Sequence, residues 1–191
     1  YVLQSLGNTG PAVGACAPFL YNLRLAVQDI RSGRARVAIV GAAEAPVVAE
    51  VMEGYAAMGA LASDKALRAL DGLPDNARPD LRRACRPFAN NCGFTMAESA
   101  QLMVLFDDAL ALELGAPVLG SVPDVFVSAD GPKKSISGPG VGNFVTFAKA
   151  AAVLRDMLDD RSFAREGMVQ AHGTSTPQNR VTESEIVSRV A

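Results

Sequence analysis

The sequence contains no apolar run of the roughly 18 residues that a membrane-spanning helix needs. Residues Tyr1 to Gly10 also lack the charged start and apolar stretch of a signal peptide. These absences argue against a membrane role and lead to the expectation of a soluble, cytoplasmic chain. Charge of one sign is scarce as well. The net charge is −2, with no basic arm or acidic tail, so nothing steers the chain toward nucleic acid or another polyanion. Cysteine is limited to three residues with no CxxC pair, and histidine to one. That set fits no metal-ligand pattern, and free thiols in a reducing compartment are the simplest account. There is no internal repeat and no low-complexity linker.

What is present is a chain of 191 residues with 49% hydrophobic and 20% charged content, enough to build one or two compact units around a core. From Cys16 the apolar positions Phe19, Leu20, Leu23, Val27 and Ile30 follow the stripe of a core-facing helix. Pro18 is tolerated in its first turn and Gly33 supplies a stop. Arg36 to Glu44 reads as a buried strand and Pro46 to Met58 as a second helix. Ser63 to Asn91, with Gly72, Pro74, Pro79 and Pro87 among many charges, reads as an irregular surface excursion.

Beyond it the pattern predicts a strand at Ser99 to Phe106, a short helix at Asp107 to Leu114 and a strand at Val118 to Ser128 broken near Pro123. A Gly/Pro/Ser-rich loop at Asp130 to Gly142 leads into an Ala-rich helix at Asn143 to Leu158. A strand at Met168 to Ala171 and a helix at Asn179 to Val190 complete the series. This alternation predicts an α/β architecture with sheets covered on both faces. Tyr1-Val2-Leu3 begins in the style of a strand interior, and no strand follows the last helix, so a fragment is expected.

Two residues carry candidate chemistry. Cys16, within Gly14-Ala15-Cys16-Ala17, is expected in the first turn of its helix, where unpaired backbone N–H groups and the macrodipole favour a thiolate. Small neighbours leave room for a substrate carbonyl. The same residue also fits a buried structural cysteine acting as a small hydrophobe. Cys85 and Cys92 stand in irregular chain and are weaker candidates. His172, the single histidine, lies in Ala171-His172-Gly173-Thr174-Ser175-Thr176-Pro177. It is expected at a strand end, where open α/β sheets place their chemistry. A cysteine and a histidine together form the pairing that acyl transfer needs, although a turn histidine is the plain alternative.

These two motifs resemble the active-site cysteine and first histidine motifs of β-ketoacyl-acyl carrier protein synthases, the condensing enzymes of fatty-acid and polyketide synthesis. Met58-Gly59-Ala60-Leu61, Arg86-Pro87-Phe88, Gly93-Phe94 and Glu98 fall between them in the family's order. The resemblance implies a thiolase-like fold, an α-β-α-β-α layered sandwich of two halves. Residues 1–115 would end the first half, with the excursion at 63–91, and residues 116–191 would begin the second. It implies that Cys16 is acylated from a thioester, with its backbone N–H in the oxyanion hole. His172 would stabilise the enolate formed when malonyl carrier protein loses carbon dioxide. Thr174 and Thr176 would hydrogen-bond the phosphopantetheine arm, Phe94 would line the acyl pocket, and Glu183 would support the catalytic lysine.

No cofactor is implied beyond substrates carried on the phosphopantetheine of acyl carrier protein or on coenzyme A. The implied partners are acyl carrier protein, acyl and malonyl thioesters, and a second copy of the chain in a homodimer. The family's second catalytic histidine, its lysine and its glycine-rich gating loop lie C-terminal to this sequence, so the chain alone is expected not to complete condensation. Phe19 stands where many members have a small hydroxyl residue, the loop from Phe88 to Gly93 is short, and Gln178-Asn179-Arg180 replaces a Gly-Asp pair. These departures are similar to a divergent bacterial subgroup that starts chains from short acyl primers. Alternative readings are a coenzyme A-dependent thiolase-type acyltransferase, a non-catalytic partner of the chain-length-factor kind, and an interaction domain without a site.

Overall fold

The computed structural model describes residues 7, 9–14, 16–132, 138 and 140–190. Ala15, Tyr1-Val2-Leu3 and residues 133–137 and 139 of the Gly/Pro/Ser-rich loop therefore lie outside the described residues. The chain forms two compact units, Tyr1–Glu44 with Ser99–Val127, and Ala45–Glu98 with Ser128–Ala191.

In the first unit, α1 (Pro18–Arg31) begins at Ala17, with Pro18 in the first turn where its missing N–H costs nothing. Its buried residues are Leu23, Ala26 and Val27, whereas Leu20, expected on the core stripe, is exposed. The helix ends at Ser32, and Gly33 adopts a φ of 72°, a left-handed conformation that glycine reaches without strain. The chain then enters β1 (Val37–Glu44), which pairs antiparallel with β2 (Ser99–Phe106) from Val37 opposite Phe106 to Glu44 opposite Ser99. Leu23, Ala26, Val27, Val40 and Val125 form the core, with Phe19, Ala38, Leu105 and Val122 packed around it. The short helix α4 (Asp108–Glu113) is capped by Asp107, whose carboxylate accepts the Leu110 N–H at 2.8 Å. Arg36, just before β1, donates to the same carboxylate at 2.8 Å, so the cap also ties the two strand ends together.

Several expectations are corrected here. Among the described residues the sheet has two strands, and most of β2 is exposed. Val118 to Ser128 forms no strand. Pro117 and Pro123 lack the N–H that a ladder needs, and among the described residues no strand pairs with the segment, although Val122 and Val125 still reach the core.

The second unit holds α2 (Ala49–Ala57), α3 (Asp64–Asp71), a 3-10 turn at Leu81–Arg83, α5 (Val141–Met157), α6 (Asp160–Glu166) and α7 (Pro177–Val190). The expected irregular stretch from 63 to 91 thus contains a helix. Ser63 accepts the Ala66 N–H at 3.2 Å at the N-terminus of α3, and Gly72 closes it in a left-handed conformation. Leu67, 1% exposed, anchors α3. The short helix α6, also unexpected, is capped by Asp159, which accepts the N–H groups of Arg161 and Ser162. Met168 to Ala171 is a loop rather than a strand, with Met168 and Val169 exposed. No helix among the described residues is long and apolar enough to cross a membrane.

Candidate functional site

Cys16 is exposed, which removes the buried structural reading. It lies one residue before the helix cap Ala17, not in the first turn as expected. The Ala17 N–H bonds to the Gly14 carbonyl at 2.8 Å, folding the chain tightly over Cys16. The Ala17 carbonyl then accepts the first helical N–H groups, from Leu20 and Tyr21. Tyr21 packs against Gly14, where an added Cβ would stand 2.8 Å from the ring. Asn22 Oδ1 accepts the Ala12 N–H at 3.0 Å. The approach to Cys16 is thus shaped by side chains of α1 itself, and the thiol stands beyond the positive end of that helix.

His172 is exposed in the loop leading into α7, two residues before Thr174. Its backbone N–H donates to Glu183 Oε1 at 2.6 Å, and the Gly173 N–H donates to Glu183 Oε2 at 2.8 Å. Asn179 Nδ2, one helical turn before Glu183, donates to Oε2 at 2.7 Å. One carboxylate therefore accepts three charge-assisted bonds, two of them from the main chain of the histidine loop. The imidazole has no hydrogen-bond partner among the described residues, which leaves both ring nitrogens available to a substrate. Thr174 and Thr176 are half-buried, with their hydroxyl oxygens 3.0 Å apart. The Thr176 hydroxyl also accepts the Asn179 N–H at 3.4 Å at the start of α7.

Between these threonines sits Ser175, fully buried and the one described non-glycine residue with a positive φ, 68°. Its hydroxyl accepts the Arg86 N–H at 2.7 Å and donates to the Ala84 carbonyl at 3.4 Å, and its carbonyl accepts the Gly93 N–H at 3.2 Å. Gly93 has a φ of 151°, and a Cβ there would lie 2.4 Å from the Leu61 carbonyl carbon. Only glycine fits so close a backbone approach. Phe94 follows, bonded through its backbone to Ala60 and Ala62 and packed edge-to-face on Tyr55 of α2 at 5.1 Å. Arg180 extends the seam, donating to the Ala89 carbonyl at 2.7 Å.

Beneath this seam Arg86 makes a two-pronged ion pair with Asp71, at 2.7 and 2.6 Å. Both side chains are largely buried. The hydrogen bonds from Arg86 hold the Asp71 carboxyl below the usual carboxylate range, and the same bonds raise the Arg86 guanidinium. Cys92 is half-buried, and burial pushes its thiol up against the opposing pull of the Arg86 charge. Cys85 is exposed on irregular chain.

Of the residues singled out from sequence, His172, Thr174, Thr176, Glu183 and Phe94 fall in the second unit, where Ser175 links their segments. Cys16 belongs to the first. Sequence reasoning missed Ser175, Asn179, Arg180 and the Asp71–Arg86 pair. One signal was present: Asn179 and Glu183 stand at i, i+4 on the helix that follows the motif.

Residues 1–110 match the family described as Beta-ketoacyl synthase, N-terminal domain. The chain is 56% identical over 191 residues to the beta-ketoacyl-acyl-carrier-protein synthase FabY of Pseudomonas aeruginosa, covering 100% of this chain and 30% of that protein. It is 32% identical over 195 residues to nodulation protein E of Rhizobium meliloti, covering 99% of this chain and 42% of that one. The chain thus spans less than half the length of these relatives. The crystal structure of the noncanonical ketosynthase FabY from P. aeruginosa superposes with a TM-score of 0.94 over 100% of this chain and 29% of its own. A ketosynthase solved with its type II polyketide acyl carrier protein, 24% identical, matches at 0.66 over 92% of this chain and 39% of its own. The fold class is therefore the thiolase-like one expected, represented here in part. With more than half of its residues matched by that family's N-terminal domain, the chain belongs to the beta-ketoacyl synthase family.

Proposed function

We propose that these residues serve a β-ketoacyl-acyl carrier protein synthase of fatty-acid synthesis. The observation that carries this reading is the 56% identity to FabY, which extends over the entire chain. In the first step the Cys16 thiolate attacks an acyl thioester. A C–S bond to Cys16 forms, backbone N–H donation stabilises the oxyanion, and the C–S bond to the carrier breaks, its thiolate taking up the proton that Cys16 gave up. In the second, malonyl carrier protein binds with its arm against Thr174 and Thr176, and its carboxylate departs as carbon dioxide. The bonding pair moves to the thioester carbonyl as an enolate, which the His172 imidazole N–H stabilises. The enolate carbon then attacks the acyl group on Cys16, forming the C–C bond and releasing the thiolate.

His172 is the chain's single histidine, so the second catalytic histidine implied by the resemblance is not among these 191 residues. Phe94 walls the acyl pocket, and its support from Tyr55 and the Ala60 to Ala62 segment makes that wall stiff. For Glu183 the bonds to His172 and Gly173 favour a role in holding the histidine loop, whatever lysine it also supports. The acyl carrier protein bound to a solved ketosynthase of the same fold supports such a partner here. A homodimer, cytoplasmic location, chemistry drawn from the substrate thioesters without a resident cofactor, and a boundary between thiolase-like halves near residue 115 belong to the same reading.

The test uses the full-length gene product. His172→Ala is expected to accept an acyl group at Cys16 at the wild-type rate, yet to release carbon dioxide from malonyl carrier protein about 10² to 10³ times more slowly, the scale for one lost oxyanion donor. Decarboxylation at the wild-type rate would remove His172 from the mechanism.

A further inference from the structure

Ser175 is fully buried and has a left-handed backbone. A left-handed conformation is costly for a residue with a Cβ, and this one is held by three hydrogen bonds from a fully buried position: to Arg86, Ala84 and Gly93. Such over-determined strain is a mark of functional positions. What the strained residue presents is the pair on either side of it. Thr174 and Thr176 place their hydroxyl oxygens 3.0 Å apart. Two hydroxyl groups carry two protons. One is used between the threonines, and their remaining bonds are accepted from the backbone N–H groups of Thr176 and Asn179. One O–H is left to donate outward to a carbonyl.

We propose that Ser175 is a positioning residue for the amide-bearing arm of the thioester substrate, aiming the outward-donating Thr174–Thr176 pair by anchoring the turn between them. The proposal rests on the reading of these threonines as arm-binding groups and adds the residue that sets their geometry. Because the anchor runs through Arg86 and Gly93, the arm site is also fixed to the segment that carries Phe94.

The full-length gene product is assayed for decarboxylation of two substrates, malonyl-pantetheine and malonyl ethyl thioester, which lacks the arm's amides. Wild type is expected to favour malonyl-pantetheine through KM. Ser175→Ala removes the hydroxyl and is expected to raise KM for malonyl-pantetheine about tenfold. Its kcat should stay within about twofold, and KM for the ethyl thioester should not change. Ser175→Gly, which relaxes the left-handed strain as it removes the same hydroxyl, guards against a misfolded variant and is expected to show the same split. Added to Thr174→Val with Thr176→Val, Ser175→Ala should raise KM no further. A wild type with no preference for malonyl-pantetheine would remove the arm-binding reading itself. A wild type with that preference, and serine variants that keep it or that lose both substrates in parallel, would overturn the role of Ser175.

Discussion

The histidine loop shows how much one residue can settle. Glu183 satisfies the backbone N–H groups of His172 and Gly173 together, so the loop is fixed from behind while the imidazole stays open in front. The lone histidine and its flanking threonines were legible in the sequence because of their motif. The brace was legible only as an acidic residue at the right place, since a hydrogen bond to a backbone N–H leaves no trace in residue type. The Asp71–Arg86 pair was not legible at all, its partners sitting among many charges with nothing to mark which two would be buried. Its pH behaviour follows from the direction of the shift. A carboxyl held below its ordinary value stabilises the fold above the unfolded-state value of about 3.9, and that contribution is lost as pH falls through the folded value. Asp71→Asn is therefore expected to lower the Tm at neutral pH, with the gap to wild type narrowing below about pH 4. A gap of constant size from pH 7 to pH 3 would show that the pair is not what the substitution removes.

At the scale of elements, long apolar or alanine-rich runs were readable, and a short helix among charges was not. β2 was placed at its observed bounds from an apolar run, and α4 from Asp107 and the following alanines and leucines. The helix α3 was hidden by the prolines and charges around it. It buries one residue, Leu67, and its evidence lay in Ser63 and Gly72 at its ends and in the short stripe of Ala66, Leu67 and Leu70 between them. Leu67→Ala is expected to destabilise the fold by about 2 to 5 kcal/mol, as for other large-to-small changes in a filled core. Equilibrium denaturation checks this, and a change under about 1 kcal/mol would mean that α3 is not anchored through that side chain. The two strands expected at Val118 to Ser128 and Met168 to Ala171 failed for a different reason. Apolar runs announce burial, whereas a strand also needs a neighbour to receive its hydrogen bonds, and a neighbour cannot be read from the run itself.

For the whole molecule, family membership and fold class were legible because the cysteine and histidine motifs are specific and lie in the family's order. The two compact units were not, since they depend on β2 returning to β1 across more than fifty intervening residues. The central claim is that the cysteine at the head of α1 carries the acyl group. Iodoacetamide reactivity alone cannot decide it, because Cys85 and Cys16 are both exposed. The direct measurement is peptide mass spectrometry of the full-length gene product after reaction with an acyl-acyl carrier protein, compared with Cys16→Ala. The account predicts the acyl mass on the peptide containing Cys16 and none on the variant. An acyl group on Cys85 or Cys92, or one retained in Cys16→Ala, would contradict it.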